Sequence, residues 1–209
     1  MQFIFIIGTH RTGTKFFAEF FNDAFDSVES VHQYDRLRIV NILSNMKQSG
    51  KISDQMFGRL LDLIWVPHVL NRASETYIES NGFNYLSAHH LLTKGYDVKV
   101  VHVVRDPRDF VVSYANWVGE RFRSKVANHL VPYWHVTAAS VGEMSRIEWR
   151  RLSPLQKYCW YWRYKNETIE ELYSVYPNRY TCLHFENIFY KSKQHEDSIK
   201  YLLDFLSLG

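Results

Sequence analysis

A short segment near the N-terminus carries residue types that bind phosphate-like anions. It joins an apolar run at residues 3–7 to a stretch in which phenylalanine recurs every three or four residues. The first pattern predicts a strand buried on both faces and the second a helix. A glycine-bearing loop between them offers unpaired helix amides and the positive end of the helix dipole to an anion. The predicted contacts come from His10, Arg11, Thr12, Gly13, Thr14, Lys15 and Phe16.

The loop has the glycine spacing of the P-loop, G-x-x-x-x-G-K-[ST], but not its chemistry. Gly8 and Gly13 match the two glycines. Thr14 stands where the lysine belongs, and Lys15 takes the place of the hydroxyl that holds magnesium. A P-loop kinase or NTPase therefore remains an alternative. The lysine and the magnesium-binding hydroxyl, which carry most of the chemistry of that class, are however missing from their expected positions.

A second segment combines a β-branched strand with an arginine. Residues 98–104 are rich in valine, Arg105 follows directly, and Ser113 lies eight residues further on. Ligands of parallel α/β sheets bind at the carboxyl ends of the strands, where Arg105 offers a charged fork and Ser113 a hydroxyl. The alternative is a surface ion pair of Arg105 with Asp106 or Asp109.

Both segments resemble motifs of sulfotransferases that use 3′-phosphoadenosine 5′-phosphosulfate (PAPS). Residues 11–14, Arg-Thr-Gly-Thr, resemble the [KR]-[ST]-G-T loop that cradles the 5′-phosphosulfate. Arg105 and Ser113 resemble the R-x-x-x-x-x-x-x-S motif that holds the 3′-phosphate. The resemblance implies an enzyme that moves a sulfuryl group in line from PAPS to a hydroxyl of a small molecule, glycan or lipid-linked sugar. It also implies no metal.

The resemblance extends to further site residues. Phe185 begins an aromatic-Glu-Asn triplet whose aromatic residue contacts adenine in the family, although a core phenylalanine is equally compatible with the sequence. Related bacterial members carry a His-Glu pair after the second strand; here His32 is followed by Gln33, which cannot act as a base. His32, Asp35 and Glu79 are the predicted catalytic groups beside Arg11, which supplies charge. Gln33 keeps a catalytically inactive nucleotide-binding relative open as an alternative.

The elements that must position these residues alternate along the chain. Strands are predicted at 3–7, 27–32, 76–79, 98–104 and 179–185, and helices after the first loop and at 35–48, 53–72, 107–118, 154–176 and 194–207. This alternation predicts an α/β fold, with a parallel sheet flanked by helices on both faces in a P-loop-NTPase-like three-layer sandwich. We expect a single domain over 1–209, with an irregular, substrate-facing region at about 120–153.

The composition narrows the function classes. Apolar residues make up 46% and charged residues 22% of the 209 residues, and the net charge is only +3, which does not suggest nucleic-acid binding. Two cysteines without ligand spacing predict no metal site, and no apolar run is long enough to span a membrane, so we expect a cytoplasmic protein. The acceptor and the oligomeric state are not defined by the sequence. Trp117, Trp134 and Trp149 are candidates for stacking on a sugar.

Overall fold

The computed structural model describes residues 1–32, 37–72, 74–120, 133–190 and 193–208. The strands are β1 (Gln2–Gly8), β2 (Val28–His32), β3 (Thr76–Ser80), β4 (Val98–Val104) and β5 (Tyr180–His184). The helices are α1 (Thr14–Ala24), α2 (Leu37–Gln48), α3 (Asp54–Ile64), α4 (Val66–Leu70), α5 (Tyr85–Thr93), α6 (Pro107–Glu120), α7 (Arg146–Arg151), α8 (Pro154–Tyr173), α9 (Phe185–Phe189) and α10 (Lys193–Leu206).

Internal contacts group the chain into two compact units. The first consists of Met1–Tyr34, Ala73–Asp106 and Asn166–Gly209, and the second of Asp35–Arg72 and Pro107–Lys165. All five strands belong to the first unit. The N-terminal part of α8, up to Lys165, belongs to the second unit and the rest of the helix to the first.

The first unit is built on a five-stranded sheet in the order β2-β3-β1-β4-β5, with every neighbouring pair parallel. The apolar run of β1 makes it suitable for the central position, where residues 3–7 are almost completely buried. One face of the sheet packs on α1, α9 and α10 through a core that includes Ile4, Phe17 and Leu202. Parallel strands buried on both faces have this continuous apolar character.

The other face of the sheet is covered by α5 and the C-terminal part of α8. Tyr85 and Leu91 of α5 are buried, and the Tyr173 hydroxyl of α8 donates to the Tyr85 carbonyl oxygen at 2.6 Å. His102 of β4 contacts the Asn166 side chain of α8 at 2.9 Å. The predicted fold, a parallel sheet with helices on both faces, is therefore confirmed.

The second unit is helical and has an aromatic core. Phe110 and Tyr114 of α6 pack with Trp160 and Tyr161 of α8. Residues 133–145 are irregular and are followed by the short helix α7, whereas residues 121–132 of the predicted irregular region lie outside the described residues. Asn45 of α2 holds this irregular segment by donating to the carbonyl oxygens of Tyr133 and Trp134, at 2.8 and 3.1 Å.

Two local expectations are wrong. The helix predicted over 53–72 is divided at Trp65, because Pro67 has no N–H to donate and so cannot continue the hydrogen-bond ladder of α3. Residues 179–185 are not all strand, since β5 ends at His184 and Phe185 begins α9. Helix α5 is absent from the prediction, because it is buried on most of its circumference and so lacks the alternation that marks a surface helix.

Candidate active site

The loop after β1 is shaped by glycine and two buried threonines. A Cβ atom on Gly8 would lie 2.4 Å from the carbonyl oxygen of Val103, so this strand end approaches β4 too closely for any side chain. Thr12 is fully buried, and its hydroxyl donates to the Thr9 carbonyl oxygen at 2.8 Å. The Thr12 hydroxyl thus stabilises the loop itself.

The loop turns sharply into α1 through two left-handed residues. Arg11 has a φ of 67°, which is uncommon for a residue with a side chain, and Gly13 has a φ of 75°. Gly13 is the N-cap of α1, and no side chain of the described residues caps the helix there. The first helical hydrogen bond runs from Phe17 N to Gly13 O, at 3.2 Å. The preceding first-turn amides are therefore available to an anion, and strain of this kind concentrates at functional sites.

Predicted contact residues of the loop differ in exposure. Lys15 is exposed and forms an ion pair with Glu19, 3.3 Å away on the next turn of α1. Phe16 is also exposed and packs its ring edge on Phe189 of α9, with centroids 5.0 Å apart. His10 packs on the ring of Phe83, which follows β3, with centroids 4.7 Å apart.

Arg105 joins the two predicted motifs of the first unit. It follows β4, and its Nη1 donates to the Arg11 carbonyl oxygen at 3.0 Å. Its guanidinium lies over the Phe185 ring, 4.5 Å from the centroid, in a cation–π contact. Glu186 accepts a hydrogen bond from the Asp106 amide at 2.9 Å, which holds the start of α9 against the end of β4. The structure therefore brings Arg11, Arg105 and Phe185 together.

His32 lies at the end of β2 and has a defined tautomer. Its Nδ1 is 3.0 Å from the Ser80 carbonyl oxygen. A carbonyl oxygen only accepts, so Nδ1 carries the hydrogen and Nε2 keeps a lone pair. Burial lowers the pKa of His32 below its usual value of 6.5, and the positive charge of Lys15 lowers it further, against opposing effects of the Ser80 hydrogen bond and Glu19. The neutral imidazole is thus favoured.

Glu79 does not lie beside His32. His32 and Ser80 are partners in the β2–β3 register, whereas Glu79 is paired with Val31 and so points to the opposite face of the sheet. The Glu79 side chain is fully buried and accepts a hydrogen bond from the Tyr77 hydroxyl at 3.2 Å. Asp35 and Gln33 lie outside the described residues.

Ser113 belongs to α6 in the second unit, where it is half-buried. Its predicted contact with the 3′-phosphate stays a prediction.

Sequence reasoning missed Phe189, although a signal was available. A Cβ atom on Gly13 would lie 2.3 Å from the Phe189 ring, so this ring closes one side of the loop. Phe189 also stacks on Phe185, with centroids 4.3 Å apart. The two phenylalanines are four residues apart, which is the spacing of neighbours on one helix face.

The described residues contain neither a candidate metal cluster nor a helix able to span a membrane. Among these residues no group of three or more His, Cys, Asp or Glu side chains is arranged to hold a metal ion. None of the described helices combines the length and apolar character needed to cross a membrane.

Comparison with known proteins identifies the family. The description "Sulfotransferase domain" belongs to the family profile that matches residues 2–208. The fold is similar to the sulfotransferase domain from the curacin biosynthetic pathway, with a TM-score of 0.58 and 14% identity over 100% of this chain and 74% of that chain. It is also similar to a sulfotransferase from Alicyclobacillus acidocaldarius, with a TM-score of 0.52 and 14% identity over 100% of this chain and 82% of that one.

A shikimate kinase from Bacteroides thetaiotaomicron shares the fold at a TM-score of 0.50 and 12% identity, over 99% of each chain. These structural likenesses establish the P-loop-like fold alone. The sequence comparison with curated proteins finds no match. Because the family profile covers nearly the entire chain, the protein belongs to the sulfotransferase family, and this membership supports an enzyme with sulfotransferase activity.

Proposed function

We propose that this protein transfers a sulfuryl group from PAPS to a hydroxyl of a small-molecule or carbohydrate acceptor. The observation that carries the proposal is the contact of Arg105 with the loop after β1, where its Nη1 donates to the Arg11 carbonyl oxygen at 3.0 Å. A nucleotide with phosphate groups at both its 5′ and 3′ positions needs two anion sites on one chain. The loop and Arg105 are suitable for these two roles.

The loop fits the 5′ end of such a donor. Its glycines permit close approach of the backbone, and the first-turn amides of α1 precede the first helical hydrogen bond at Phe17. Arg11 and Lys15 add positive charge where negative charge develops on the leaving oxygen. No acidic residue occupies the first turn of α1, so nothing there repels an anion.

Arg105 and Phe185 fit the opposite end of the nucleotide. A guanidinium holds a phosphate through charge-assisted hydrogen bonds and at the same time stacks on an aromatic ring. The Phe185 ring already orients the guanidinium in this way, at 4.5 Å. Contact of Phe185 with adenine belongs to the same proposal.

His32 is the general base of the proposed reaction. Bound PAPS supplies the sulfuryl group, which passes to the acceptor oxygen as the bond from sulfur to the 5′-phosphate oxygen breaks. The acceptor hydroxyl loses its proton to Nε2 of His32, the nitrogen that the hydrogen bond to Ser80 leaves unprotonated. No residue of this scheme requires a metal ion.

Binding of 3′-phosphoadenosine 5′-phosphate (PAP) tests the proposal by calorimetry. We expect wild-type protein to bind PAP without magnesium, and Arg105→Ala to weaken binding about 10- to 100-fold, the value of one or two charge-assisted hydrogen bonds. The matched control is Arg179→Ala. Arg179 precedes β5, at the opposite end of the parallel strands from Arg105, and it pairs with Asp97. PAP affinity should therefore stay within about twofold.

Other results would contradict the proposal. Binding of ATP with magnesium and no binding of PAP would identify a P-loop kinase or NTPase instead. Binding of PAP without turnover would identify an inactive relative. Mass spectrometry of a mixed pool of hydroxyl acceptors incubated with PAPS detects turnover and names the acceptor.

A further inference from the structure

The second unit contains a cavity whose wall is rich in positive charge. Its volume is about 290 Å³, and it is formed by residues of the second unit alone. Its wall includes Ser49, Lys51, Tyr133, Arg146, Trp149 and Arg150. This cavity, which we call the basic cavity, has no part in the function proposed above.

Three elements of the second unit build the basic cavity. Lys51 follows α2, where its amide donates to the Met46 carbonyl oxygen at 2.9 Å. Tyr133 has a φ of 59°, a conformation uncommon for a bulky residue, and Asn45 fixes it by donating to its carbonyl oxygen at 2.8 Å. Arg146 and Arg150 lie four residues apart on α7 and so share one face of that helix.

The described wall of the basic cavity carries positive charge without a balancing carboxylate. Lys51, Arg146 and Arg150 line it, and none of its described lining residues is acidic. Within the described part of the chain, these three side chains form no ion pair. The nearest carboxylate in sequence, Glu148, accepts a hydrogen bond from the Ser145 amide at 2.8 Å in the capping box of α7.

One further side chain suits a ligand with a ring. Trp149 is held by an edge-on contact with Trp160, with centroids 5.2 Å apart. A guanidinium pair and an indole are groups that bind a carboxylated or sulfated sugar.

We propose that the basic cavity is an anion subsite, which binds a carboxylate or a sulfate ester on a carbohydrate ligand. The proposal goes beyond the proposed function, because the lining belongs to the second unit alone. Arg146 and Arg150 bind the anionic group, Lys51 adds charge, and Trp149 contacts the sugar ring.

A matched pair of ligands tests this proposal by calorimetry. 4-Nitrophenyl glucuronide and 4-nitrophenyl glucoside differ at one position, where the first has a carboxylate. We expect wild-type protein to bind the glucuronide at least about tenfold more tightly, and the double variant R146Q/R150Q to lose this preference. The control is Arg151→Gln, on the same helix but not in the cavity wall, which should keep the preference.

The outcomes separate this proposal from the proposed function. Equal binding of both ligands by wild-type protein, or a preference that survives in R146Q/R150Q, overturns the basic cavity as the subsite. Binding of inorganic sulfate without a preference for the glucuronide also overturns it. PAP binding by the same preparations reports independently on the nucleotide, and thermal melting reports on the fold. Failure of PAP binding alone overturns the proposed function and not the anion subsite.

Discussion

At the scale of single residues, the orientation of each side chain decides its chemistry. His32 and Glu79 are both polar residues near strand ends on adjacent strands, and the sequence predicts both as catalytic. Register pairs His32 with Ser80, so Glu79 points to the opposite face and is buried beside Tyr77. His32 is therefore the better candidate for the base.

Replacing His32 tests its role directly. We expect His32→Gln to lower kcat by about 10²- to 10⁴-fold, the usual contribution of a general base, and to change PAP affinity by less than about twofold. His90→Gln, near the C-terminal end of α5, is the control and should keep its kcat. A normal kcat in His32→Gln would exclude His32 as the base.

The pH profile of kcat/KM gives a second test of the same residue. The neutral imidazole accepts the proton, so activity is full above the pKa of His32 and falls as the pH drops through it. Because burial lowers this pKa from 6.5, we expect the acidic limb to have its midpoint below pH 6.5. A midpoint above pH 6.5 would contradict the role of burial.

At the scale of elements, α1 and α9 meet at Gly13, where there is no room for a side chain. Gly13→Ala would place a methyl group 2.3 Å from the Phe189 ring and add the strain of a positive φ. Gly95→Ala is the matched control, since Gly95 has a φ of 85° and no atom within 4 Å of its added Cβ. We expect Gly95→Ala to cost about 1 kcal/mol of unfolding free energy and Gly13→Ala at least about 2 kcal/mol more.

Denaturant unfolding measures both glycine variants. Adding Phe189→Leu to Gly13→Ala should recover part of the loss, because the smaller side chain makes room for the methyl group. Equal costs for the two glycine variants would show that the ring does not close the loop.

The sequence predicts elements better than it predicts their contacts. Apolar runs, loose alternation and turn signals predict all five strands, and residue types and spacing single out the loop and Arg105 as candidates. The sheet order, which places β1 between β3 and β4, depends on pairing between distant segments. For the same reason the sequence does not predict the orientation of Glu79 or the contact of Phe189 with Gly13. Both are set by packing partners far along the chain.

At the scale of the whole molecule, the half-buried His135 makes stability depend on pH. Burial, with a smaller contribution from the charge of Lys165, lowers the pKa of His135 to about 4. The unfolded chain binds this proton below about pH 6.5 and the folded chain only near pH 4. The contribution of His135 to the free energy of unfolding is therefore greatest above pH 6.5 and declines as the pH falls toward 4.

Replacing His135 should flatten this dependence. Between pH 7.5 and 5, linkage predicts that His135 removes about 2 kcal/mol of unfolding free energy, a loss that His135→Asn should lack. The control is His184→Asn, on an exposed residue, which should follow the wild type. Denaturant unfolding at both pH values measures the unfolding free energy of each protein. An equal loss of unfolding free energy between pH 7.5 and 5 in wild type and His135→Asn would contradict the prediction.

The order of strands in the sheet has a consequence for synthesis on the ribosome. β1 is made first, but its partners β3 and β4 begin only at residues 76 and 98, and β5 at residue 180. At 5–20 residues per second, translation from residue 8 to residue 184 takes roughly 10–35 s. Throughout that interval the loop after β1 lacks Phe185 and Phe189, so the proposed nucleotide site, which includes Phe185, is completed only after α9 has been synthesised.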